Sequence, residues 1–273
     1  MSRGKLLQIK RRVQSTESLM KITKAMEMVA TARVKKIEKK LQDVRMFLKE
    51  TKRLLENIEI ESSHPFLTGS GKKAVIVLST DMGLCGAFPS EIAREALKVI
   101  DKENIERIYA VGTKNIPFFK KHPKIHRIYE RVYEIPTFDF AKTLMKDIVA
   151  ENIGTIYIVY GSFKNRLIQK PETVKITPID KSPLKTSRYE YEPDIEELTS
   201  SIIEFYVAAT IYSLAFETKV SELYARQNAM RNATENASEV ISELTLEYNK
   251  ERQASITQEL IEIVSGAQAL SEE

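Results

Sequence analysis

The distribution of helix-breaking residues constrains this chain more than any other feature. All nine prolines lie between Pro65 and Pro193, and seven of the nine glycines fall in the same region, leaving only Gly4 and Gly266 outside. Roughly the first 60 residues and the last 80 therefore contain almost nothing that stops a helix. The middle is punctuated like an ordinary mixed domain. Both ends also carry an apolar repeat. In the first segment Val34, Ile37, Leu41, Val44, Leu48, Leu55 and Ile58 follow alternating steps of three and four, with Thr51 filling one slot. Leu6, Ile9, Val13 and Met20 fit a similar register, with Thr16 between. In the last segment Ile195, Leu198, Ile202, Phe205, Ala209, Tyr212 and Phe216 do the same, and further on Ile256, Leu260, Ile263, Ala267 and Leu270. A sustained period of 3.5 residues predicts a left-handed coiled coil. Pro193, then Asp194 with Glu197 three residues later, marks the start of the last helix with a capping-box-like pair. At 1.5 Å per residue the first helix reaches ~80 Å and the last ~110 Å.

Charge indicates what pairs with what. Between Arg3 and Arg53 there are sixteen Lys and Arg against five acids; between Glu190 and Glu273 there are seventeen acids against five bases. Flanking charges set partner choice in coiled coils, so the basic and acidic helices are expected to pair with each other. Each exposed ion pair adds only ~0.2–1 kcal/mol. The apolar seam supplies the cohesion, at ~1.5–3 kcal/mol per fully buried large side chain. A basic helix also suits nucleic acid, but its complement is already in the chain and no aromatic residues are interleaved for base stacking, so no nucleic-acid partner is expected. If the helices are antiparallel with residue 194 level with residue 58, the last helix overshoots by roughly fifteen residues, ~20 Å. That overhang, "SITQELIEIVSGAQAL", carries only Glu259 and Glu262 as charges, and its apolar residues cover more than one stripe. A helix apolar nearly all round should be buried, which here requires a surrounding partner. The stretch "KITKAMEMVATARV" poses the same requirement: from Ala25 to Ala32 only Glu27 is charged.

The middle reads as an α/β sheet. "KAVIVLS", "RIYAVG", "KIHRIYERVY" and "TIYIVYG" read as strands, "PSEIAREALKVI" and Phe138 to Glu151 as helices, and "TVKITP" as an edge strand. The expected fold class is α/β, a long antiparallel coiled coil of terminal helices plus a central Rossmann-like domain. The expected boundaries are 1–62, 63–193 and 194–273. The turn Gly83-x-x-Gly86 lacks the Lys-Ser/Thr of a phosphate loop and the full dinucleotide spacing, and "AVGTKN" offers no acid for a ribose. His64, His122 and His126 fit no metal spacing. Cys85, the single cysteine, reads as a packed small residue, and no internal disulfide is possible. No run approaches the eighteen apolar residues of a membrane span, and "MSRGKLLQIKRR" lacks a signal core. No catalytic residue, metal or cofactor is expected. Two rival classes remain open on these grounds: a coiled-coil adaptor with an α/β head, and a nucleotide-dependent enzyme built on the sheet.

The segments "KITKAMEMVATARV", "STDMGLCGAF" and "NATENASEVISELTLEYNKERQASITQELIEIVSGAQAL", with the chain length, closely resemble the gamma subunits of F-type ATP synthases. The match is most specific over residues 9 to 40, 228 to 270 and the loop around Gly83 and Cys85. It departs at Glu17 and Leu19-Met20, and it lacks the central cysteine-pair insertion of chloroplast members, so no thiol switch is expected. The resemblance implies a non-catalytic rotor shaft, one copy per complex, inside a ring of three alpha and three beta subunits. It would also meet the epsilon subunit and the c-subunit ring, on the cytoplasmic side of a bacterial cell membrane as a peripheral protein. It further implies that Arg252, Gln253, Thr257 and Glu259 meet a beta-subunit loop, with Lys24 and Met26 at a comparable level on the first helix. Ile256, Leu260, Ile263, Val264, Ala267 and Leu270 would form an apolar bearing.

Overall fold

The computed structural model describes residues 2–56, 63–180 and 195–271. The elements in chain order are α1 (Ser2–Glu56), α2 (Pro65–Thr68), β1 (Lys72–Leu78), α3 (Phe88–Lys102), β2 (Arg107–Val111), α4 (Ile116–Phe119), β3 (Ile125–Tyr129), α5 (Phe138–Ala150), β4 (Ile153–Phe163), β5 (Gln169–Thr177) and α6 (Ile195–Ser271). The chain groups into two compact units, Met1–Val29 with Asn228–Glu273, and Ala30–Gln227. Ile58 and the Pro193-Asp194 start signal lie outside the described residues, as does the side chain of Glu197.

Within the unit Ala30–Gln227 a five-stranded sheet has the order β3-β2-β1-β4-β5. β1 pairs in parallel with both β2 and β4, β2 pairs in parallel with β3, and only the edge strand β5 runs antiparallel, against β4. Side chains alternate across a strand, and β1 shows what that achieves. Val75 and Val77 pack with Ile92, Ala96 and Ile100 of α3. Ala74, Ile76 and Leu78 pack on the opposite side with Leu144 and Ile148 of α5 and with Ile203, Val207 and Ile211 of α6. α5 starts where the Thr137 hydroxyl accepts the Phe140 N–H at 3.2 Å.

The α1–α6 seam in this unit joins Val34, Ile37, Leu41 and Val44 to Phe216, Val220, Leu223 and Tyr224. Glu38 accepts from the Tyr224 hydroxyl at 2.6 Å, and Arg45 pairs with Glu217 at 3.2 Å, so the helices run antiparallel. Thr51 is buried, which accounts for a hydroxyl residue in an apolar slot: its hydroxyl donates to the Phe47 carbonyl at 2.8 Å.

The α6 seam differs from the expected one. Phe205 is partly exposed and makes edge contacts with Phe47 and Phe138. Ala209 and Phe216 are buried as the repeat implies, but Ile203, Val207, Ala208, Ile211 and Ala215 are buried beside them. A single heptad stripe presumes one partner, whereas this part of α6 is covered by the sheet on one side and by α1 on another. The same double burial makes α6 long and apolar enough to cross a membrane by composition alone. Over that part it is a core helix packed on the sheet, and, as expected, it holds no run of eighteen consecutive apolar residues; the test is met by the mean hydropathy of a mixed stretch.

In the other unit, Lys5 pairs with Glu251 and the hydroxyls of Thr23 and Thr234 share a hydrogen bond of 2.8 Å, again antiparallel. Ile9 is buried, and Leu6, Val13, Thr16 and Met20 are the less exposed positions along that stretch of α1. On α6, Met230 and Leu244 are buried.

Candidate functional site: the exposed faces of the two long helices

The register set by Lys5 and Glu251 places Ser2 level with Ala254, and α6 continues to Ser271. Ser255 is still buried, but among the described residues 256–271 have no sister helix beside them, a length of ~24 Å. Ile256, Leu260, Ile261, Ile263 and Val264 are exposed there, Leu260 by 56% and Ile263 by 67%. Ala267 is exposed too, and the side chain of Leu270 lies outside the described residues. Burying a large aliphatic side chain is worth about 1.5–3 kcal/mol, so this surface stores a large driving force for association.

α1 shows a second apolar surface away from its seam. Leu19, Ile22, Met28 and Val29 are exposed and Met26 is half-buried. The missing polar face of "KITKAMEMVATARV" is thus an outward surface: the seam to α6 does not consume these residues. Lys24 is exposed and pairs with Glu27 at 3.0 Å, one turn along the same helix.

Arg252, Gln253, Thr257 and Glu259 are all exposed on α6. The Thr257 hydroxyl donates to the Gln253 carbonyl at 3.0 Å, a bond within the helix. These polar groups alternate with Ile256 and Leu260, so one short stretch of helix presents directional and non-directional contacts side by side.

The sheet's own ligand position is the third place to look. In doubly wound sheets ligands bind beyond the carboxyl ends of the strands where strand order reverses. Here that point lies between β1 and β4, and α6 occupies it. Gly161 of β4 donates its N–H to the Thr218 hydroxyl at 3.2 Å and accepts from the Ser221 hydroxyl at 2.8 Å. A Cβ at Gly161 would sit 2.3 Å from the Phe88 ring, so glycine is what lets the strand approach so closely. Phe163 donates its N–H to Glu217 at 3.2 Å. Arg226 donates to the carbonyls of Met82 (3.2 Å) and Gly83 (3.1 Å), beyond the end of β1.

The turn after β1 is held from within. Asp81 accepts from the Thr113 N–H (2.8 Å), the Thr113 hydroxyl (2.8 Å), the Arg131 N–H (2.9 Å) and the Tyr133 N–H (2.6 Å). Cys85 is buried, and that burial pushes its thiol pKa up, with Arg226 pulling the other way. It behaves as packing rather than as a nucleophile. His64 and His122 each accept a backbone N–H two residues on, at 3.1 and 3.2 Å, which are turn-forming roles. Among the described residues no group of three His, Cys, Asp or Glu converges on a metal position. Sequence reasoning missed Asp81, Glu217, Thr218, Ser221 and Arg226. Only the small polar residues on an otherwise apolar helix hinted at them.

The family model for ATP synthase matches residues 5–270. The ATP synthase gamma chain of Desulforamulus reducens is 35% identical over 277 residues, covering 96% of this chain and 98% of that one. The gamma chain of Mycoplasma mycoides is 36% identical over 279 residues, covering 96% and 98%. In solved structures the fold resembles a chain of the Euglena gracilis mitochondrial ATP synthase rotor, with a TM-score of 0.74 at 16% identity, covering 93% of this chain and 99% of that chain. A central-stalk chain of the Tetrahymena thermophila enzyme gives 0.62 at 21%, covering 78% and 99%. With nearly the whole length matched by the family model and by relatives above 30% identity, the chain belongs to the ATP synthase gamma chain family.

Proposed function

We propose that this chain is the central rotor shaft of an F-type ATP synthase, non-catalytic itself and present once per complex. It turns inside a ring of three alpha and three beta subunits, with the epsilon subunit and the c-subunit ring at its other end. It sits as a peripheral protein on the cytoplasmic side of a bacterial cell membrane. The functional division follows residues 1–62 and 194–273 as the shaft and 63–193 as the sheet-bearing part. The observation that carries this reading is the exposed apolar end of α6, where among the described residues no helix of the same chain covers Ile256, Leu260, Ile261, Ile263 and Val264. Apolar contact is non-directional, so such a surface turns in an apolar sleeve without fixing one angle. Arg252 and Gln253, with Thr257 and Glu259, supply directional bonds that hold preferred angles; Lys24 and Met26 supply a separate contact, because Thr23 lies level with Thr234 and so ~27 Å along the helix from Arg252, not at the comparable level the resemblance implies.

The test is co-purification through a tag on residues 63–193. A complex with ATPase activity should come down, and deleting residues 256–271 should lower its coupled ATP synthesis. If no nucleotide-hydrolysing partner is recovered, the shaft reading fails. Alanine at both Arg252 and Gln253 should shorten rotational dwells and reduce coupled synthesis. Unchanged dwells and synthesis would dismiss the angle-holding role.

A further inference from the structure

A shaft that carries torque must not slip where its sheet-bearing part grips it. Apolar packing resists separation but resists sliding poorly, since it has no preferred direction. Hydrogen bonds fall off steeply with angle and so resist rotation. Most of the contact between α6 and the sheet is apolar, through Ile203, Val207, Ile211 and Ala215. At one level the character changes. Over residues 217–226 four side chains of α6 hold backbone groups at the carboxyl ends of β1 and β4. Thr218 and Ser221 take both the N–H and the C=O of Gly161. Glu217 takes the Phe163 N–H. Arg226 takes the Met82 and Gly83 carbonyls.

The cluster is built to stay put. Arg226 is 5% exposed and Glu222 1%. Glu222 pairs with both Arg226 (2.5 Å) and Lys219 (2.9 Å) along the helix, so the guanidinium is fixed before it reaches the loop. A charge so deeply buried is costly unless its partners are all in place. Thr218 also donates to the Leu214 carbonyl at 2.8 Å, which aims its lone pair at Gly161.

We propose that Glu217, Thr218, Ser221 and Arg226 form a torque clamp: positioning residues that lock the sheet to α6 against slippage at the crevice where related sheets bind ligands. This rests on the rotor reading above. The clamp matters under load and is idle without it, which separates it from a stabilising role.

The experiment uses the whole complex in sealed vesicles, with Thr218→Val/Ser221→Ala as one variant and Arg226→Met as a second. ATP-driven ion uptake per ATP hydrolysed is measured beside the ATPase rate of the detached, unloaded catalytic part. The clamp predicts a several-fold fall in ions moved per ATP, with unloaded ATPase within about twofold of the unsubstituted complex. Thr218→Ser, which keeps the hydroxyl, should restore most of the uptake. Equal uptake in all variants overturns the clamp. Parallel loss of uptake and unloaded ATPase in both variants also overturns it, since that is the signature of a merely structural role. Failure of the rotor reading itself looks different: the unsubstituted complex would then show no uptake that depends on this chain.

Discussion

Asp81 carries more backbone than any other carboxylate described above. Its two oxygens accept three backbone N–H groups and one hydroxyl from residues 32 to 52 positions further along the chain. It also holds Arg131 at φ 59°, a left-handed conformation that a non-glycine residue adopts only when something compensates. Asp81→Asn replaces one acceptor oxygen with an NH2 group facing an N–H donor. The expected loss is about 1–3 kcal/mol in denaturant unfolding of the full chain. Glu151 gives a pH prediction. It bridges Arg107 at 3.0 Å and Lys72 at 3.2 Å, from neighbouring strands. The hydrogen bond from Arg107, then that from Lys72, holds its carboxyl below the ordinary 4.5. A depressed carboxylate contributes stability that is fully present above its unfolded value and is lost as pH falls through the folded one. Glu151→Gln should therefore flatten the acid limb of the stability–pH curve below about pH 4.5 and leave its shape near neutrality unchanged. An identical acid limb in the variant would show that the bridge contributes nothing. The sequence displays "STDMGLCGAF" plainly, yet nothing local tells that Asp81 caps Thr113, Arg131 and Tyr133. Those partners are chosen by how β2 and β3 end beside β1, which is tertiary information.

For whole elements, the same helix pair contains two kinds of apolar residue that the free chain should treat oppositely. Leu41 is buried in the seam against α6, whereas Ile263 is exposed on the overhang. Leu41→Ala should cost about 2–5 kcal/mol in unfolding of the full chain, the range for a cavity in a packed core. Ile263→Ser should leave that stability within about 0.5 kcal/mol, as surface changes do. It should nonetheless weaken incorporation into an ATPase complex, measured by co-purified ATPase. If Ile263→Ser destabilised the free chain as much as Leu41→Ala, the overhang would be packed on its own chain and the bearing idea would fall. α1 was legible from its heptads because one partner helix covers one stripe: Val34, Ile37, Leu41, Val44 and Thr51 are all buried as the spacing implies. The upper part of α6 was less legible. A helix covered on two sides shows no single period, so Phe205 read as seam while Ile203, Val207 and Ile211 carried the burial. All five strands were legible and β1 and β2 nearly to the residue, since short β-branched runs bounded by turns admit few alternatives, but "KIHRIYERVY" overran β3 (Ile125–Tyr129), and β4 (Ile153–Phe163) and β5 (Gln169–Thr177) run longer than "TIYIVYG" and "TVKITP".

Across the molecule, the sheet retains the architecture of a ligand-binding fold while its ligand position holds a helix. Nucleotide affinity in such a fold needs open space beyond β1, a glycine-rich turn whose N–H groups face a phosphate, and an acid for the ribose. Here the turn after β1 instead offers the carbonyls of Met82 and Gly83 to Arg226, and the edge of β4 is taken by Thr218 and Ser221. Carbonyl oxygens repel phosphate, and the Arg226 guanidinium is already bound to Glu222. A nucleotide would have to displace α6 and break a buried ion pair, which costs about 3–5 kcal/mol when one partner is stripped away. The full chain should therefore bind neither ATP nor ADP at millimolar concentration in equilibrium dialysis. Arg226→Met should not open a site, because Thr218, Ser221 and the α6 backbone still fill the crevice. Saturable binding to the unsubstituted chain would mean that α6 leaves the sheet readily, and a helix that leaves so readily could not transmit torque through it.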